Sequence, residues 1–185
     1  MQDLLYHLFA HVCGQNPAHT WAPGSVALPC CQRCVGLYVG ACAAALLHLM
    51  ARPSATYRGR WVHGAFLLLM LPFGFHWLPQ GPILRTVTGV LFGFGLTAFL
   101  RLALPFTSER GNTARANRIY AAGLSATLVL VPWLGAYGNA MTASVLSLLA
   151  TGGALVLFAL VLANAALGLR WLTRRTLNRT ARVGT

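Results

Sequence analysis

Apolar residues gather along this chain in five long stretches, each closed by a short polar or Pro/Gly-rich connection. A bilayer crossing takes about 20 mostly apolar helical residues, within a range of roughly 17–25. Residues 35–50, 61–78, 84–104, 119–137 and 145–169 meet or approach that length, and each is predicted to be a membrane-spanning helix. Ahead of them, residues 3–13 have helical spacing but are too few to cross, so they predict an interfacial helix. The expectation is an all-α polytopic transmembrane helical bundle of about five spans, with an N-terminal interfacial helix and a Cys-rich loop. Three segments follow: 1–34 with the interfacial helix and a Cys/His motif, 35–170 as the membrane domain, and 171–185 as a basic tail.

The connections alternate in charge. Residues 52–60 hold Arg52, Arg58 and Arg60, and 105–118 hold Arg110, Arg115 and Arg118 with Glu109, whereas 79–83 and 138–144 hold no charge. The tail carries Arg170, Arg174, Arg175, Arg179 and Arg182. Basic loops stay in the cytoplasm, so the pattern predicts a multi-pass protein of the cell's inner membrane, N-terminus outside and C-terminus inside. The opening run MQDLLYHLFAHVC has no basic n-region and no small-residue cleavage site, so the spans themselves are expected to direct insertion. Gly36 and Gly40, and again Gly89 and Gly93, stand four apart. Such small residues let helix backbones approach closely in lipid, either inside one bundle or between two copies.

Composition agrees with the pattern. The chain is 57% hydrophobic and 9% charged, against about 25% charged in soluble domains. Its formal net charge of +12 comes from Arg alone, with Asp3 and Glu109 the two acids. A nucleic-acid partner needs a basic face, and these Arg residues instead lie between apolar stretches. The expected partners are the lipid bilayer and other membrane subunits.

Candidate chemistry concentrates before the first predicted span. Cys13, Cys30, Cys31 and Cys34 fall close together, with His7, His11 and His19 nearby, while Cys42 sits inside an apolar helical pattern as a small packed residue. Cys31 and Cys34 form a C-x-x-C at a helix start, a common zinc half-site. Thiolate and imidazole together suit zinc or copper better than magnesium or calcium. The metal-ligand candidates are Cys13, Cys31, Cys34, His7, His11 and His19, with Cys30 able to replace Cys31. Two rivals stand beside zinc: a disulfide between Cys13 and Cys31, Cys34 or Cys30 on an oxidising side, and a redox-active Cys31/Cys34 pair.

These residues resemble an uncharacterised family of prokaryotic membrane proteins, classed as a domain of unknown function. Its signature resembles C-H-Q-x-P-x-R-S-F followed by P-x-C-x-R-C-x-G-x-Y-x-G. The second block is met at every fixed position by Pro29, Cys31, Arg33, Cys34, Gly36, Tyr38 and Gly40. The similarity runs over about residues 10–100 and takes in Leu84-Arg85, Thr88-Gly89 and Gly93. The chain departs from the signature at Gly14, His19 and His76, where the family has His, Arg and Asp. The resemblance implies a membrane protein with a Cys motif and supplies no reaction.

Two Arg fall on the side that is otherwise uncharged. Arg33 lies in the Cys motif, and Arg85 opens the third predicted span. Charge at membrane depth marks candidate function, so Arg33, His76 and Arg85 are candidate ligands for an anion, against contact with lipid phosphates or with helix C-terminal carbonyls. No acid lies within a predicted span to serve as a base, so no catalytic residue is assigned. His48 and His63 flank the first basic loop and are expected to snorkel to water.

Overall fold

The computed structural model describes residues 2–53, 57–74, 77–102 and 113–183. Six α-helices make up the described part: α1 (Gln2–Ala10), α2 (Gln32–Ala51), α3 (Tyr57–Gly74), α4 (Pro82–Leu102), α5 (Thr113–Tyr137) and α6 (Ala140–Val183). Four helices are long and apolar enough to cross a membrane: Gln32–Ala51, Pro82–Leu102, Ala114–Tyr137 and Ala140–Arg175. α3 has 18 residues, and Arg58 and Arg60 in its first turn lower its hydropathy below that of the other four. Large apolar side chains such as Leu68, Val129, Leu155 and Phe158 face outward. Lipid accepts such a surface without the cost water would impose.

α2 is the centre of the bundle and packs on α4, α5 and α6. The α2–α4 seam is built from glycine. A methyl group on Gly36 would overlap the Thr86 carbonyl, and one on Gly40 would lie 2.7 Å from the Val90 carbonyl oxygen. Gly89 and Gly93 return the arrangement against the Arg33 and Leu37 carbonyls. These glycines are therefore used inside one chain, and of the two readings of the spacing the intramolecular one holds. Gly153 brings α6 against the Tyr38 backbone in the same way.

Polar side chains inside the spans bond backward along their own helices. Thr86 donates to the Pro82 carbonyl (3.1 Å), Thr88 to Leu84 (2.9 Å) and Ser147 to Ala143 (2.8 Å). Nothing else in hydrocarbon would satisfy these hydroxyls.

α3 packs chiefly on α4. Its end meets the start of α2, where Arg33 bonds to the Phe73 carbonyl. Near its start, His63 reaches Tyr120 of α5 at 2.8 Å. α3 thus runs between the two ends of the bundle.

The two histidines that were expected to reach water do not. His63 donates from Nδ1 to the Gly59 carbonyl (2.7 Å), so its Nε2 accepts from the Tyr120 hydroxyl. His48 packs against the Tyr120 ring at 5.0 Å, and both its nitrogens are buried with no partner among the described residues. Both rings stay partly exposed, but their nitrogens are turned to the protein rather than to water.

Candidate metal centre

The N-terminal segment folds back over one end of the bundle. Trp21 donates from its indole to Thr86 at 2.9 Å and lies on Gly135 of α5. Gly24, at φ 59°, fits against the backbone of Asn139, where a Cβ would come within 2.8 Å of a carbonyl carbon. Gln15 donates to the carbonyls of Tyr6 (2.6 Å) and Pro29 (2.8 Å), joining the end of α1 to the last loop residues before α2. Phe9 and Leu5 bury the inner face of α1.

This fold-back places Cys13 beside the first turn of α2. The Cys31 backbone N–H donates to the Cys13 sulfur at 3.2 Å. Cys31 is the N-cap of α2, and Cys34 is in its first turn. The Sγ atoms of Cys13, Cys31 and Cys34 lie within 4.8 Å of one another. Three sulfurs around tetrahedral zinc, with Zn–S near 2.3 Å, stand about 3.8 Å apart, so the triangle needs only a small contraction. Cys30 points away into the apolar core and is fully buried, so Cys31 supplies the C-x-x-C pair.

Hydrogen bonds from the Cys31 and Cys34 thiols hold Cys13 far below the usual thiol range, and the Cys31 and Gln15 backbone groups add to this against the opposing effect of burial. Burial raises Cys30, helped by the negative charge at Cys13. One sulfur is thus prepared as a thiolate ligand while its core neighbour stays protonated.

A cavity of about 270 Å³ adjoins the triangle, lined by Cys13, Cys31, Cys34, His19, Arg33 and Arg85. Of the three candidate histidines, His19 is on this cavity; His7 and His11 are exposed, on α1 and just beyond it. His76 lies outside the described residues. Arg33 caps the end of α3, donating to the Phe73 carbonyl (2.8 Å) and to Gln80 Oε1 (2.7 Å), while Gln80 donates to the same carbonyl (2.6 Å). A cation at a helix C-terminus is favourable, so part of this charge is structural. The Nε of Arg33 is buried without a partner among the described residues. Arg85, in the first turn of α4, is half-buried on the same wall.

Residues 13–99 match the family model described as Predicted membrane protein (DUF2085). The DUF2085 match begins at Cys13 and ends in α4, so it takes in the sulfur triangle and the glycine seam and stops before α5. No curated protein and no solved structure matches the chain. The three thiols are a group able to hold a metal ion, and they lie within the stretch that matches this family model.

Sequence reasoning overlooked Gln15 as a clamp and Trp21 as an anchor. Gln15 stands at a fixed position of the resembled signature, next but one after Cys13, which was its available signal.

Proposed function

We propose that this chain is a five-span inner-membrane scaffold, or a subunit of a larger membrane complex, whose extracytoplasmic N-terminal segment is locked by zinc on Cys13, Cys31 and Cys34. The observation that carries the reading is the approach of the three Sγ atoms within 4.8 Å, from two segments that only the fold-back brings together. Thiolate ligands suit zinc. The fourth coordination position faces the cavity, where His19 is the one histidine on the wall.

The course of α3 between the bundle ends supports a fifth crossing despite its basic first turn. The alternation of Arg-bearing and uncharged connections supports the Cys segment outside and the C-terminus inside. Exposed Arg170, Arg174 and Arg175 on α6, with Arg175 stacked over Trp171 at 4.9 Å, suit the anionic inner leaflet.

Metal analysis of the detergent-purified protein, with a thiol count under denaturation, tests the centre. About one equivalent of zinc with all thiols reduced is expected. Loss of two thiols with no metal would replace zinc by a disulfide. Activity reporters fused after residues 53, 80, 112, 139 and 185 test the crossings, with inside, outside, inside, outside, inside as the expected order.

A further inference from the structure

The cavity beside the sulfurs holds more positive charge than the sulfurs neutralise. A divalent ion on three thiolates carries one net negative charge. Arg33 and Arg85 place two positive charges on the same wall. With zinc bound, the site retains one positive charge. No described carboxylate answers it: Asp3 is exposed in the first turn of α1, and Glu109 lies outside the described residues.

The polar atoms around the cavity also have capacity to spare. Arg33 spends its Nη2 on Phe73 and Gln80, which fixes its guanidinium at the cavity wall beside Arg85. A guanidinium on a cavity wall takes an anionic oxygen in preference to a neutral acceptor. A three-sulfur ligand set leaves one tetrahedral position, and all three sulfurs line the cavity, so that position is reachable from it. Structural zinc sites are closed by four protein ligands, whereas sites that bind exogenous groups keep one position open.

We propose that the cavity binds one small oxyanion group, a phosphate or carboxylate, with one oxygen on the metal and the rest held by the guanidinium groups of Arg33 and Arg85. The inference rests on the zinc reading above. Roughly 270 Å³ accommodates such a group with a few waters, since a water takes about 30 Å³ in the liquid. The site lies at the outer end of α4 in the proposed orientation, within reach both of solutes and of lipid headgroups.

Cobalt(II) replaces zinc and reports its own coordination in visible absorption. The full-length protein is loaded with cobalt in phosphatidylcholine nanodiscs and titrated with inorganic phosphate. Saturable change in the cobalt bands is expected, weakened at least tenfold in Arg85→Met and partly restored in Arg85→Lys, with cobalt stoichiometry unchanged. A second arm adds phosphatidic acid to the nanodiscs. If that lipid alone produces the change and blocks free phosphate, the oxyanion is a headgroup; if free phosphate acts and the lipid does not, it is a solute. Either result supports the site. One equivalent of cobalt with bands unmoved by both probes would overturn the oxyanion site and leave the metal centre standing. So would bands that shift in His19→Ala while phosphate does nothing, because His19 would then be the fourth ligand. Failure to bind cobalt at all would remove the metal centre and the oxyanion site together.

Discussion

At Cys13 a single sulfur accepts hydrogen bonds from two thiols and a backbone N–H, and is held as a thiolate. A ligand already deprotonated releases no proton when metal binds. Zinc loading should therefore release about two protons, from Cys31 and Cys34, where three free thiols would release about three. The sign follows: with two protons displaced, zinc affinity falls as pH drops, by about a hundredfold per pH unit. Competition with a chromophoric chelator at two pH values measures the slope; a thousandfold dependence would mean Cys13 is an ordinary thiol. His48 gives the second test at this scale. Its two buried, unpartnered nitrogens cost about 1–3 kcal/mol, so His48→Leu should raise the thermal unfolding midpoint in detergent. A lowered midpoint would show that the ring has a partner that matters. The sequence disclosed the cysteines, because C-x-x-C at a helix start is a local pattern. It concealed the inward contacts of His48 and His63, because those depend on Tyr120 arriving from a helix more than fifty residues away.

Among the elements, the pairing of α2 with α4 rests on backbone contact rather than on large interlocking side chains. Gly89 and Gly93 face carbonyls of α2 so closely that no Cβ fits without separating the helices. Overpacking of this kind costs typically 1–3 kcal/mol. Gly89→Ala and Gly93→Ala should each lower the unfolding midpoint in detergent. Gly168→Ala on α6, where nothing lies within 4 Å, should leave it unchanged or raise it slightly. Equal effects at all three positions would mean that helix propensity, not the seam, governs the outcome. The seam was legible as two pairs of glycines four apart, but the spacing alone did not say which helices they join. The helix limits were less legible. α2 begins at Gln32 rather than Val35, since the polar Gln-Arg pair continues the helix from its Cys31 cap, and α6 begins at Ala140. A hydropathy window ignores polar first turns, so it misses both starts.

For the whole molecule, the N-terminal segment joins the bundle through the sulfur triangle, through Phe9, Leu28 and Cys30 in the shared core, and through Trp21 on Thr86 and Gly135. The glycine contacts joining α2 to α4 and α6 are backbone contacts that none of the three sulfurs enters. Stability is therefore divided, with the segment able to open while the bundle stays closed. Metal binding that exists only in the closed form adds its free energy to that closure alone. Removing zinc with a chelator should speed amide hydrogen exchange in residues 2–31 and leave the centres of α2, α4 and α6 protected as before. Cys34→Ser should reproduce the chelated pattern without chelator. Unchanged exchange in the segment would mean that Phe9, Leu28 and Trp21 suffice to hold it and the centre is not a staple. Exchange rising throughout the bundle would mean that the centre supports the entire fold, because the helix starts around it would then depend on the ion for their alignment.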